Sequence, residues 1–520
     1  MKDEIFFRDK LEDEWEANEV YAILSECDKD FEPPLSERGS TVQKTWEKKS
    51  GDGVRNYFNE VAKQHILLLK REKKIIAFLS FRSMEECEAL KDYRDICYFT
   101  TLCIRKEYRG QGLALVLYQK AKEYVEESSR YTVMALRTWS TNKAQLHLME
   151  KMDFHCETRL KNDRGEGIDT LYFVKEITGK GIRAYGYTIG NGKCGIRNTI
   201  TDVPGVKVGH YTVRKGKNQT GVTGIIPCDG FVYERKPLAA VYALNGFGKT
   251  QGTVQIEELG VLETPIALTN TLNVGKAADG LVTFTEKECR KNGKELVSVN
   301  PVVGETNDSR INQITERVIE AEDVLFAIEH AEKNFKQGAV GAGRGTVCFG
   351  LKGGIGSASR ILTFGGKEYT IGVLVQSNFG KTQDLTVAGV PVGRQICTKI
   401  QNSAKEDKGS IMVIVGTDLP LGERQLKRVL KRAAVGLIRT GSFMGHGSGD
   451  VFIGFTNANG IPDTKEEQFH MMKYFPENQL DKVFRLVAEA VEESILNSLT
   501  CAKAMPGRDG EIYHSLSEFL

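Results

Sequence analysis

Residues 406–418 read EDKGSIMVIVGTD, and their chemistry centres on the Gly409–Ser410 bond. Three charged residues precede that bond, and Ile411 to Val415 follow it as a strand expected to be buried on both faces. A bond that cuts itself needs this asymmetry. The serine hydroxyl must attack the carbonyl just upstream, so one side deforms while the other stays fixed. Glycine upstream tolerates backbone conformations that side chains forbid. After the cut, Ser410 becomes a chain terminus whose α-amine, with a reference pKa of about 7.7–8.0, can help accept the hydroxyl proton. The dipeptide alone decides nothing, because Gly-Ser also occurs at 39–40, 356–357, 441–442 and 447–448. Its setting distinguishes it.

A second candidate is a turn. Arg109-Gly110-Gln111-Gly112-Leu113-Ala114 follows a strand expected over 95–104 and opens an amphipathic helix to about Glu126. Small residues let backbone N–H groups approach an anion, and the helix N-terminus adds partial positive charge. The segment reads as a pyrophosphate cradle. It is not the dinucleotide fingerprint, since GxGxxG and its downstream acidic residue are absent. Other motifs fall short. GFGKT (246–250) lacks the P-loop glycine five positions before Gly248, where Ala243 stands; GAGRG (341–345) leaves GxGxxG incomplete. LKGGIGSASR (351–360) reads as a backbone turn, and His446 lacks a partner at metal-ligand spacing, so no metal site is expected.

These candidates fall in halves with different punctuation. Seven of the 53 glycines precede residue 178. The first part is rich in Glu and Lys with helix-period patterns. The second alternates short apolar strands with glycine-rich turns and amphipathic helices, expected at Ile314–Gln337 and Glu423–Arg439. The latter carries Leu426, Val429, Leu430, Ala433, Leu437 and Ile438 on one side. The expected division is a domain over 1–177, a linker over 178–190 and a domain over 191–520.

A length of 520 residues supports two or more cores, and a net charge of +2 gives no hint of nucleic acid or an anionic membrane. Lys70-Arg71-Glu72-Lys73-Lys74 reads as solvated surface. No apolar run nears the roughly 18–20 residues that span a bilayer, and the start MKDEIFFRDKLEDEWE lacks the apolar core of a secretory signal. Eleven cysteines stand singly without CxxC, which suggests neither a disulfide framework nor a zinc cluster. A cytoplasmic location is expected.

The cradle resembles the GNAT N-acetyltransferase superfamily, whose Arg/Gln-x-x-Gly-x-Gly/Ala turn binds the pyrophosphate of acetyl-CoA. Arg109, Gly112 and Ala114 hold the defining positions, with Gly110, Gln111 and Leu113 between them. TNKAQLHLMEKMDF (141–154) resembles the second half of that fold, with Asn142 where the family contacts the pantetheine arm and Phe154 closing the helix. The resemblance covers roughly residues 1–177. It implies a mixed twisted sheet with helices and acetyl transfer from acetyl-CoA to an amine. That step needs proximity, a base reached directly or through water, and a polarised carbonyl. Many members carry a proton-donating tyrosine where this chain has Met149, so a non-catalytic, CoA-binding regulatory domain stands as the alternative. Glu107 and His147 are candidate bases by type alone.

Six segments of the second half agree in order and spacing with another family: RNTITDVPGVKVGHYT (197–212), PVVGETND (301–308), GAVGAGRGTVCFGLKGGIGSASR (338–360), VLVQSNFG (373–380), KGSIMVIVGTDLPL (408–421) and RTGSFMGHGSGDVFIGFTNAN (439–459). They resemble the DmpA-type L-aminopeptidase/D-esterase family, which includes β-peptidyl aminopeptidases. The resemblance covers about residues 185–520. It implies an αββα four-layer sandwich, of the type shared with ornithine acetyltransferase, and a precursor that cuts itself into two chains that stay together. It also implies homo-oligomers, commonly tetramers, and no cofactor for this half.

By that resemblance Ser410 is the nucleophile and Gly409–Ser410 the bond broken. Asn378 supplies the oxyanion-hole amide, and Ser448 and Asp450 steady the nucleophile. Glu305 receives the free ammonium of small peptide, amide or ester substrates. Some relatives carry an aromatic residue where this chain has Asn307. The implied protein is a serine aminopeptidase fused to an N-acetyltransferase that acts on an amine. Acetyl transfer by the second half, as in ornithine acetyltransferase, is the alternative there, although that family cleaves before threonine.

Overall fold

A computed structural model describes the chain except residues 1–2, 39–52, 85, 92, 94–95, 128–130, 132, 178, 401–408 and 464–468. The charged residues 406–408 ahead of Gly409 therefore lie outside the described residues. Two compact units divide it, Met1–Ile177 and Thr178–Leu520.

The first unit is built on a seven-stranded sheet in the order β1-β2-β3-β4-β5-β7-β6. Its strands are β1 (Asp3–Arg8), β2 (His65–Arg71), β3 (Lys74–Met84), β4 (Ile96–Ile104), β5 (Val133–Trp139), β6 (His155–Leu160) and β7 (Thr170–Glu176). Helices α1 (Glu14–Cys27) and α2 (Gly53–Val61) cover one face, burying Val20, Ile23, Leu24 and Val61 on Ile66, Leu68 and Phe78. Helices α3 (Leu113–Glu127) and α4 (Lys143–Lys151) cover the other, through Leu117, Tyr118, Ala121 and Met149 against Leu79, Phe99 and Leu136. β4 and β5 are parallel, but their pairing ends at Phe99 and Leu136 although both strands continue. β4 also carries one extra residue, Thr100, against β3, because Ser80 faces Thr101 and Phe81 faces Phe99. Such a bulge bends the strand, and the sheet parts there.

In the second unit the elements run β8 (Lys207–Lys215), β9 (Asn218–Ile226), β10 (Arg235–Gly246), α5 (Thr253–Leu259), β11 (Ile266–Asn270), α6 (Val274–Lys291), β12 (Val302–Thr306) and α7 (Ala321–Glu329). The two-residue strands β13 (Val347–Cys348) and β14 (Leu351–Lys352) follow, then β15 (Ile355–Phe364), β16 (Lys367–Asn378), α8 (Gly393–Ile400), β17 (Ser410–Thr417), α9 (Glu423–Arg439), β18 (Gly449–Pro462) and α10 (Leu480–Thr500). Sheet β10-β18-β17-β16-β15 faces sheet β12-β11-β9-β8. β17 shows why. Ile411, Val413 and Val415 pack toward α9 and α10, while Met412 and Ile414 pack against Ile266, Leu268 and Val302 of the facing sheet. Helices α6 and α7 close the far side over Val222, Ala267 and Val303. The result is the αββα sandwich.

Three expectations are corrected. No single helix spans 314–337: Arg317, at φ +49°, ends a short turn, a Glu320–Asp323 capping box starts α7, and Glu332 then pairs with Val208. On α9 the stripe holds except for Ile438, which is half exposed. Residues 179–190 do not form a free connection. Gly179 N–H donates to the Cys501 carbonyl at 2.8 Å, Ile182 N–H to Asn497 Oδ1 at 2.8 Å, and Ile182 and Ile189 are buried in the second core. Glycine and lysine hid two core residues. No helix among the described residues is long and apolar enough to cross a membrane.

Candidate active sites

At the serine site the ends of three central strands meet. Ser410 opens β17, with Asn378, the last residue of β16, as its antiparallel partner and Gly449, the first of β18, as its parallel partner. The Gly449 N–H donates to Ser410 Oγ at 3.2 Å and to the Gly409 carbonyl at 3.3 Å. One donor thus touches both the attacking oxygen and the carbonyl it would attack. Gly409 is required by crowding: a Cβ there would lie 1.9 Å from the Asn378 carbonyl oxygen.

Around that pair the polar groups are tied together. Ser448 Oγ donates to Asp450 Oδ1 at 2.6 Å, both residues being buried. Asn378 Oδ1 accepts from the Val347 N–H at 2.9 Å, which fixes the amide so that Nδ2 donates to the Asn307 carbonyl at 2.9 Å. Asn307 follows β12 of the facing sheet, so Asn378 links the two sheets. Lys352, fully buried, braces the preceding turn by donating to the carbonyls of Gly343, Thr346 and Gly353 at 2.7 to 3.0 Å. Beside Asn307, burial raises the Asp308 carboxyl to about 6, against hydrogen bonds from Thr220 and Asn312 that pull it down. Glu305 is buried near the end of β12; its carboxylate accepts from the Lys249 N–H at 2.9 Å and from the Thr271 hydroxyl. The turn carrying Lys249 also approaches β18, where a Cβ on Gly449 would be 2.7 Å from the Phe247 carbonyl oxygen. GFGKT, set aside as a failed phosphate motif, therefore connects Glu305 to the serine. Ser410, Asn378, Ser448, Asp450 and Glu305 all come to one end of the sandwich, whereas His446 is exposed.

In the first unit, Gly110 and Gly112 both have φ +76°, and a Cβ on either would meet open space. From this turn a cavity of about 370 Å³ runs between the parted strands, lined by Gly110, Gly112, Leu113, Ala114, Thr138 and Asn142 among others. Backbone N–H groups at the start of α3 and the buried Thr138 Oγ1, which has no partner among the described residues, suit a polar, phosphorylated thioester. Two side chains of the turn are engaged elsewhere. Arg109 donates to Asp30 Oδ2 at 2.7 Å, Cys27 Sγ at 3.3 Å and the Ile104 carbonyl at 3.0 Å. Gln111 accepts from Arg71 at 2.9 Å. Asn142 lines the cavity while capping α4, its Oδ1 accepting from the Gln145 N–H at 3.2 Å.

Met149 is fully buried in the core. Among the cavity's lining hydroxyls, that of Tyr118 on α3 accepts from Gln145 Nε2 at 3.0 Å; the same nitrogen is 3.8 Å from Met149 Sδ. Its own proton has no acceptor among the described residues, and burial pushes its pKa up, so it stays protonated. Glu107, paired with Lys74 at 2.9 Å, and the exposed His147 are not among the cavity's lining residues. Tyr118 was missed because an aromatic residue on the inward face of a helix reads as core.

The model of peptidase family S58 matches residues 198–513. The chain belongs to peptidase family S58. It also carries an N-terminal acetyltransferase domain, matched over residues 19–154 by the model of the acetyltransferase (GNAT) family. The beta-peptidyl aminopeptidase BapA of Sphingosinicella microcystinivorans is 37% identical over 343 residues, 61% of this chain and 85% of that protein. Among solved structures, the PH0078 protein of Pyrococcus horikoshii OT3 shares 46% identity with a TM-score of 0.61, covering 65% of this chain and 96% of that one. The L-aminopeptidase D-Ala-esterase/amidase of Ochrobactrum anthropi, described as a prototype for the serine aminopeptidases and a variant of the Ntn-hydrolase fold, shares 33% with a TM-score of 0.61, covering 65% and 95%. The S58 match spans all the segments that build the serine site.

Proposed function

We propose that the second unit is a self-processing serine aminopeptidase and that the first is an acetyl-CoA-dependent N-acetyltransferase. The observation that carries the peptidase reading is the Gly449 N–H, shared by Ser410 Oγ and the Gly409 carbonyl oxygen. Ser410 Oγ attacks the Gly409 carbonyl carbon while that N–H holds the developing oxyanion. The C–N bond breaks, an ester forms, and water hydrolyses it to the Gly409 carboxylate and a free Ser410 amine. In later turnovers the same hydroxyl attacks the substrate carbonyl, with the freed amine as proton acceptor and the Asn378 amide as oxyanion donor. Because Ser448 gives its proton to Asp450, its oxygen is free to accept from the new amine. Glu305, a buried carboxylate, takes the substrate's ammonium and disfavours N-blocked chains, since leaving such a group unpaired is costly. Small peptides, amides and esters are the substrates, β-linked residues included, as the name of the Sphingosinicella relative suggests.

In the first unit, the N–H groups from Gly110 to Ala114 would hold the pyrophosphate of acetyl-CoA, with Asn142 along its arm. When bound, acetyl-CoA supplies an activated acetyl group. Tyr118 keeps a proton at the cavity wall for the departing sulfur. Met149 favours a second reading, in which this unit binds CoA without turnover; titration calorimetry beside an amine panel separates the two. Eleven cysteines, none paired, fit a reducing cytoplasm. The exposed apolar residues Phe247, Val254 and Leu259 fit association into homo-oligomers, tetramers by the resemblance, which light scattering reads.

The deciding experiment is intact-mass analysis of purified protein under denaturing conditions. Two fragments of about 410 and 110 residues are expected, the smaller beginning with Ser410, and Ser410→Ala should stay whole. An uncut parent chain, or an unchanged cut in Ser410→Ala, overturns the reading. Release of p-nitroaniline from amino-acid p-nitroanilides, with and without acetyl-CoA, then reads hydrolysis.

A further inference from the structure

The Asn378 amide is fixed at both of its polar atoms, and each anchor leads to a buried charge. Its Oδ1 takes the Val347 N–H, and one Nδ2 hydrogen goes to the Asn307 carbonyl, each at 2.9 Å. An amide nitrogen carries two hydrogens, which leaves the second for an oxyanion. Val347 pairs with Lys352 across the β13–β14 hairpin. The fully buried Lys352 ammonium donates to the carbonyls of Gly343, Thr346 and Gly353, and so ties down the turn that ends at Val347. Asn307 is followed by Asp308, also fully buried, whose carboxylate accepts from the Thr220 hydroxyl at 2.6 Å and from Asn312 Nδ2 at 3.0 Å. Thr220 in turn accepts from Asn270 Nδ2 at 2.8 Å. Asp308 also packs on the turn that Lys352 holds: a Cβ on Gly345 would lie 2.8 Å from Asp308 Cβ. Burial weakens the hold of Lys352 on its proton, Arg344 adds to this, and the Asp308 carboxylate opposes it.

We infer that Asp308 and Lys352 are positioning residues for peptide hydrolysis, holding the two backbone groups that aim the Asn378 amide at the oxyanion. This rests on the aminopeptidase reading of the second unit. A turn that needed only packing would take an apolar side chain, because a buried charge is costly unless its hydrogen-bonding capacity is used. Lys352 spends all three N–H donors on carbonyls of one turn, and Asp308 accepts on both carboxylate oxygens. An oxyanion donor contributes only where it is held against the charge that develops, and a misplacement of about 1 Å can cost about 10²-fold. The developing oxyanion exists in the transition state and not in the bound substrate, so a misplaced amide lowers kcat and spares KM. In Asp308→Asn one oxygen becomes an NH2 group facing the donor on Thr220 or on Asn312, and the segment carrying the Asn307 carbonyl must shift.

The test is a double-mutant cycle on the full-length, self-cleaved protein, with amino-acid p-nitroanilides as substrates. Asp308→Asn and Lys352→Met should each lower kcat at least tenfold with KM within threefold. In an Asn378→Ala background the same changes should cost less than a further twofold, because the amide they position is gone. A smaller loss in either variant, or the same factor in both backgrounds as a merely supporting side chain would give, overturns the inference. Thr220→Val removes one bond to Asp308 and leaves both charges, so it decides alone if the charge variants fail to fold. A threefold or larger loss of kcat confined to chains that keep Asn378 supports the inference; any smaller or equally shared loss overturns it. Self-cleavage should be complete in every folded variant, since it draws on the Gly449 N–H, and its loss overturns the inference. Wild-type protein that cuts itself yet hydrolyses no p-nitroanilide overturns the aminopeptidase reading and this inference with it, whereas hydrolysis with additive losses overturns this inference alone.

Discussion

At the serine site, Ser410, Asn378 and Glu305 each already hold a hydrogen bond to another part of the chain, and Ser448 holds one to Asp450. At the Arg109–Ala114 turn, the glycines look into open space, and the arginine rests on a carboxylate that is 40% exposed. Under the proposed functions, the difference follows from what each site acts on first. A serine that cuts its own chain meets its substrate during folding, so strand register must assemble the chemistry before any ligand arrives. A cofactor site does the reverse: it leaves donors and volume unfilled, because the ligand brings their partners.

The sharpest way to break that contrast is to remove a donor from the preassembled site. Asn378→Ala and Asn378→Asp should each lower kcat on p-nitroanilides by about 10²–10³, the effect of losing an oxyanion donor worth about 3–4 kcal/mol. The aspartate still accepts from the Val347 N–H, so full activity in Asn378→Asp would show that the amide only braces the loop. Glu305→Gln comes next. It should lower kcat/KM on free-amine substrates by about 10², near the 2–5 kcal/mol cost of breaking a buried charge pair. The extent of self-cleavage should be unchanged, because the Gly409–Ser410 bond presents no ammonium. Loss of cleavage as well would make Glu305 a structural group.

How much of this was legible in the sequence depended on whether a feature is carried by letters in a row. β17 was readable because five aliphatic residues in succession fit burial on two faces, and both faces are indeed packed. The sandwich and the mixed sheet followed from ordered motifs. The shared N–H at Gly449 was not readable, since a backbone donor leaves no mark in residue type. GFGKT was judged against a phosphate motif, and its service to Glu305 depends on a chain crossing between sheets. Residues 179–190 looked like a connection because composition outweighed Ile182 and Ile189.

On the unfilled side, Gly112→Ala should weaken acetyl-CoA binding about tenfold by calorimetry and leave chain cleavage untouched. At φ +76° a Cβ costs roughly 1–2 kcal/mol, and it fills the open space facing the cavity. An unchanged Kd would remove the turn as the cradle.

The smallest effect belongs to Asp30→Asn. The Arg109–Asp30 pair is 40% exposed on both sides, and exposed pairs of this kind are worth about 0–1 kcal/mol. If that carboxylate merely parks Arg109, releasing it should tighten acetyl-CoA binding by at most about fivefold, and the gain should shrink as added salt screens the guanidinium. Weaker binding in Asp30→Asn would mean that Asp30 aims Arg109 rather than diverting it. The first unit would then be preassembled too, and the contrast between the two sites would be one of degree.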